Sequence, residues 1–263
     1  KYSIKGFDNN YPIICDLVIS YIQHILISKY SFFPLRVPFN SLSQTQNFGR
    51  CEIFLSNNFF TCNGKLLIII QGTGNVEAGI FSRGVCVEED FTLGSVLPFI
   101  EVLNKDYSFI ILNPNAVNDT MNKETNIQEF GSMEDHCNWV YENVIKKHNI
   151  SEEYYFLSHS AGGCCTIELF RKYPEILPKT KKVAFTDSVH GKSVEVLGEE
   201  ARKKLGEIGV NYITSSKKLG SLIRNIQFSK DGVVNVSCGH TKHAYSTGSA
   251  FSEIIQFYGG KQY

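Results

Sequence analysis

Four stretches of this chain are apolar at every position: Leu66-Leu67-Ile68-Ile69-Ile70, Phe109-Ile110-Ile111-Leu112, Tyr154-Tyr155-Phe156-Leu157 and Val183-Ala184-Phe185. A strand with one wet face alternates apolar and polar residues, so a run without alternation is buried on both faces. Each run stops at small or polar residues: Gln71-Gly72-Thr73-Gly74, Asn113-Pro114-Asn115, Ser158-His159-Ser160 and Thr186-Asp187. Helix-length segments lie between the runs. The pattern specifies a doubly wound α/β fold, a mostly parallel sheet with helices on both faces. No repeat, linker or low-complexity tract interrupts the 263 residues, so one domain is expected over residues 1–263.

The other elements fit around this frame. Residues 10–30 read as a helix, with Ile13, Ile14, Leu17, Val18, Tyr21, Ile22, Ile25 and Leu26 at helical spacing and Pro12 in the first turn. Two prolines and many polar residues make 32–47 a loop. Residues 51–55 read as a strand, with 59–62 as a short hairpin partner. Helices are expected near 95–105, from Ser132 to about His148, from Ser160 to Tyr173, and near 197–208 and 248–258. Two further strands fall at 210–214 and 233–237. No uninterrupted apolar stretch reaches transmembrane length.

In such sheets ligands bind beyond the carboxyl ends of the strands, where Gly72-Thr73-Gly74, Ser160, Asp187 and His243 all fall. Ser158-His159-Ser160-Ala161-Gly162 is a variant of the G-x-S-x-G elbow, in which a strand turns sharply into a helix and exposes a serine. Small flanking residues meet the steric demand of that turn. A serine hydroxyl needs a base in reach and an acid to orient the base. The chain order Ser160, Asp187, His243 is that of α/β-hydrolases. His243 would take the serine proton, and Asp187 would hold its tautomer. The Ala161 N–H and the Gly72, Thr73 and Gly74 backbone would form the oxyanion hole, reinforced by the helix start after Ser160.

Other assignments stay open at this point. Ser160 fits a crowded crossing as a small residue, and Asp187 fits a cap. Asp187 stands one strand earlier than many α/β-hydrolases place the acid, but the later strand end, Thr214-Ser215-Ser216, carries no carboxylate. His190 and His240 compete with His243 as base, whereas His159 is expected to point away from the elbow. Cys238, His240 and His243 lack the second ligand pair of a zinc site. The glycine loop lacks the marks of a P-loop or a dinucleotide fingerprint. No metal or cofactor is expected.

Charge narrows the partners. The 26 basic and 26 acidic residues balance, which does not match the basic footprint of a dedicated nucleic-acid domain. The eight cysteines show no disulfide framework and read as buried reduced thiols of the nucleus or cytoplasm. The sequence opens on Lys1 rather than methionine, which is compatible with an upstream segment outside it.

Residues 66–79 (LLIIIQGTGNVEAG), 109–115 (FIILNPN), 158–163 (SHSAGG), 185–190 (FTDSVH) and 239–243 (GHTKH) together resemble successive blocks of the Argonaute-binding, or Arb2, family. The resemblance runs from about residue 10 to the C-terminus. It implies an α/β-hydrolase-like fold and a protein that acts with Argonaute or another silencing protein in small-RNA-directed heterochromatin and gene silencing, or in nuclear splicing and transcription control. A related domain is appended to some histone deacetylases. Gln71 stands where many relatives carry histidine, and Ser158 where others carry alanine or glycine. The resemblance places Ser160, Asp187 and His243 in the family's blocks. The expected function is therefore an Argonaute-associated regulator with indirect RNA contact and no membrane. The alternative is an active serine hydrolase of small acyl esters.

Overall fold

The computed structural model of the chain describes residues 10–39, 49–122, 124–223 and 232–260. Its centre is one eight-stranded sheet in the order β1-β2-β4-β3-β5-β6-β7-β8. The strands are β1 (Phe33–Val37), β2 (Cys51–Leu55), β3 (Lys65–Ile70), β4 (Tyr107–Ile111), β5 (Glu153–His159), β6 (Thr180–Thr186), β7 (Gly209–Ile213) and β8 (Val234–Ser237). The six strands from β4 to β8 across the sheet pair in parallel, and β2 runs antiparallel to both β1 and β4. This is the strand order of α/β-hydrolases.

The apolar runs supply both cores, as their lack of alternation requires. On β3, Leu66, Ile68 and Ile70 face one core, while Leu67 and Ile69 face the other. On β5, Phe156 and Leu157 divide the same way. Helices α4 (Met133–Val140), α6 (Gly162–Lys172) and α8 (Glu199–Ile208) cover the first face. Helices α1 (Tyr11–Ser28) and α3 (Leu97–Leu103) and the C-terminal helix Phe251–Phe257 cover the second. Between α4 and α5 (Lys146–His148) the chain forms a π-helical turn, Tyr141–Ile145. Ser132 caps α4 by accepting from the Asp135 N–H at 3.0 Å, the start its sequence signals.

Three details depart from the sequence reading. The 32–47 stretch opens with strand β1, whereas residues 40–48 lie outside the described residues. Pro34 is tolerated because β1 is the edge strand, where a missing N–H breaks no inner ladder. Residues 57–61 form a tight turn rather than a hairpin partner: Phe59 N–H donates to Ser56 O and Cys62 N–H to Asn58 O. On α1 the buried stripe is Cys15, Ile19, Ile22 and Leu26, and Ile13, Leu17 and Tyr21 face outward. A helix apolar on most sides does not announce which stripe docks. By length and composition α1 also meets the measure of a membrane span, with mean hydropathy 1.4 over 18 residues; in the structure it packs on the sheet.

The elbow that carries Ser160 depends on one close approach. A Cβ on Gly162 would lie 2.4 Å from Ile70 O and 2.8 Å from Gln71 O, both backbone atoms of the strand beneath. Gly162→Ala is expected to destabilise the fold by about 3 kcal/mol, because neither atom can yield as a side chain would. Urea denaturation measures this, and a change within about 0.5 kcal/mol, the range of ordinary surface substitutions, would contradict it.

Candidate active site

Strand β5 ends by forcing Ser160 into the left-handed region, φ 51°, before α6 begins at Gly162. Such a conformation is costly for a residue with a Cβ and persists only where its surroundings over-determine it. Here they do. The Ser160 N–H donates to Thr186 O at 3.0 Å, and the Ser160 carbonyl accepts from Ser188 Oγ at 3.0 Å and from the Gly163 N–H at 3.2 Å. Gly72 crosses so closely that a Cβ there would lie 2.6 Å from Ser160 Cβ.

Strand β6 ends in a second left-handed residue, Asp187, φ 44°. Its Oδ2 accepts from His243 Nδ1–H at 2.6 Å. Its Oδ1 accepts from the Thr214 N–H at 3.1 Å and the Thr214 hydroxyl at 3.2 Å, both beyond the end of β7. Burial works to raise the Asp187 pKa, but the bonds from His243 and Thr214 prevail and hold it below the usual carboxylate value. Because Nδ1 carries the donated proton, His243 Nε2 is left as an acceptor. Ser160 Oγ makes no hydrogen bond among the described residues.

The other histidines lie elsewhere. His190 stacks on Phe185 at 4.0 Å with Nδ1 against Ser188 Oγ, and His240 stacks on Tyr245 at 4.3 Å. His159 does not point away as its sequence position suggests. Its ring lies against that of His243, with centroids 4.7 Å apart and planes at 31°. Its Nδ1–H donates to Thr186 O at 3.0 Å. Burial, then the proximity of His243, push its pKa down to about 4, so the ring is neutral at pH 7 and supports the half-exposed His243 without competing for charge.

The glycine loop at residues 72–74 is clamped by a residue that the sequence presents only as a strand stop. Asn115 Nδ2 donates to Gly72 O at 2.7 Å, and Asn115 Oδ1 accepts from the Gly74 N–H at 3.2 Å. Gly74 thus spends its donor on the clamp. The Thr73 and Ala161 N–H groups have no acceptor among the described residues. A cleft of about 870 Å³ reaches His243 and is lined also by Thr73, Gly74, Arg83, Asn115 and His159.

A sequence profile of the Arb2 domain matches residues 9–118, including the glycine loop but ending before Ser160. Similarity to longer relatives continues through the rest. The mouse protein named cotranscriptional regulator ARB2A is 24% identical over 94% of this chain and 70% of its own length. The chain resembles the Arb2 family. A Dictyostelium discoideum homologue of ARB2A is 27% identical over 94% of this chain and 71% of its own length. Among solved structures, a histone deacetylase from Saccharomyces cerevisiae superposes with a TM-score of 0.60 at 16% identity, covering 94% of this chain and 96% of the other. The histone deacetylase Clr3 gives 0.57 at 13% identity, covering 93% of this chain and 38% of the other. At these identities the superpositions establish a shared fold alone.

Two buried neutral histidines make stability depend on pH. Burial holds His136 at a pKa of about 3, with its Nε2 accepting from the Asn113 N–H at 3.1 Å, and His159 stands at about 4. Both lie below the unfolded value of about 6.5. Between pH 6.5 and 4 the unfolded chain therefore binds protons that the folded chain refuses, and stability falls as pH falls. The thermal midpoint is expected to drop from pH 7 to pH 5. A flat profile across that window would contradict the assignment.

Proposed function

We propose that the protein is a serine hydrolase of the Arb2 type, which transfers short acyl groups from Ser160 to water. The Asp187–His243 bond of 2.6 Å, taken with a strand-end serine held at φ 51°, carries this reading. Ser160 Oγ attacks the acyl carbonyl, and His243 Nε2 takes its proton. The carbonyl oxygen becomes an oxyanion that accepts from the Thr73 and Ala161 N–H groups. As the C–O bond to the leaving alcohol breaks, His243 returns the proton to it. Water, deprotonated by the same histidine, then releases the acid and frees Ser160. Turnover of p-nitrophenyl acetate above the background of the Ser160→Ala variant tests this. Equal rates would remove the reading.

A second reading concerns where such a site works; the relatives named cotranscriptional regulators support its nuclear setting, and the resemblance of the sequence blocks to the Argonaute-binding family supports its partner. The protein acts in the nucleus, through contacts with an Argonaute or another silencing protein, in small-RNA-directed gene silencing. Balanced charge makes any RNA contact indirect. Affinity capture of the chain from nuclear extract is expected to enrich an Argonaute over a control bait. No enrichment would count against the partner.

A further inference from the structure

A smaller pocket of about 300 Å³ adjoins the cleft. It shares Asp16, Glu77, Asn113 and Thr120 with the cleft and adds Glu52. Among the described residues, no lysine or arginine lines it. Arg83 lies 3.8 Å from Asp16, and Arg36 is committed to Asp119 at 2.8 Å. Glu52 and Glu77 form no ion pair among the described residues.

The two amide side chains of the pocket, Gln23 and Asn113, are also left as acceptors. Gln23 spends its Nε2 on Ala78 O at 3.2 Å. Asn113, only 1% exposed, gives its Nδ2 to Glu52 O at 3.2 Å and keeps Oδ1 buried without a partner. A buried acceptor without a donor is uncommon in a folded protein and asks what completes it. The carboxylates do not converge on a point: among the described residues no three His, Cys, Asp or Glu side chains could hold one metal ion. The complement is a larger cation that spreads its N–H donors over several acceptors. Ile19 and Met121, also in the lining, suit the methylene stem of such a group.

We propose that this pocket binds the guanidinium or ammonium head of a ligand whose acyl end lies at Ser160. The site then selects cationic acyl compounds over neutral ones. The substrate half of this statement rests on the acyl-transfer reading above, whereas the pocket half does not.

The test uses the Ser160→Ala chain, which keeps the pocket and cannot be acylated. It is titrated calorimetrically with N-butylguanidinium, with the neutral isostere N-butylurea, and with N-acetyl-arginine methylamide. Both cations are expected to bind and the urea is not. The tighter of the two cations tells whether the head comes from a free alkylguanidine or a peptide arginine side chain. Glu77→Gln and Glu52→Gln, nearly isosteric changes, are each expected to weaken cation binding about tenfold, the scale of one charge-assisted contact. Added salt should weaken binding in the unaltered pocket too, a readout that survives if a glutamine variant misfolds. Equal binding of the urea, no binding of either cation, or salt-independent affinity overturns the proposal. Cation binding without ester turnover would sink the acyl-transfer reading alone, and turnover without cation binding would sink the pocket alone.

Discussion

Asp187→Asn is expected to slow ester hydrolysis about 10⁴-fold, the loss seen when the orienting acid of a serine triad becomes an amide. The geometry says why an amide fails here. Thr214 directs two donors, its N–H and its hydroxyl, at Oδ1. An asparagine must place its oxygen there, which turns its NH₂ toward His243 Nδ1. The histidine can then only accept at Nδ1, so its proton moves to Nε2 and it cannot deprotonate Ser160. Asparagine tolerates the left-handed backbone of position 187, φ 44°, so the loop should keep its shape. A thermal midpoint close to the parent's, with the rate collapsed, is the expected pair of results. A loss below about tenfold would mean that Asp187 does not set the tautomer.

Ser160→Ala is expected to remove more, about 10⁶-fold in turnover, because no other group supplies the attacking oxygen. The backbone bonds that fix position 160, from its N–H to Thr186 and from Ser188 and Gly163 to its carbonyl, do not involve the hydroxyl. The variant should therefore fold, and its residual rate reports the oxyanion donors and binding alone. Cys164, half-buried in the first turn of α6, is the nearest thiol in sequence, and burial raises its pKa. It should not rescue turnover near neutral pH.

The inner sheet was legible because residues buried on both faces leave runs without alternation, and four such runs set strands β3 to β6. Strand β1 was hidden by Pro34, whose position at the sheet edge is a tertiary fact. The docking face of α1 could not be read, because Ile13, Leu17 and Tyr21 repeat at the same spacing as the buried stripe. Helix α2 (Arg83–Glu88) and the 3₁₀ turn His190–Val196 are too short to show periodicity. At the site, the strand-end positions of Ser160, Asp187 and His243 could be read from chain order. The Asn115 clamp and the His159 stack could not, since each joins loops or residues far apart in the chain, 43 positions for Asn115 to Gly72 and opposite ends of the sheet's second half for the two histidines.

The most direct test of an activated Ser160 is to treat the chain with a fluorophosphonate and map the adduct by peptide mass spectrometry. The account predicts one adduct, on the peptide carrying Ser160, absent from Ser160→Ala and strongly reduced in Asp187→Asn. An unlabelled parent chain, or an adduct that persists in Ser160→Ala, would contradict it.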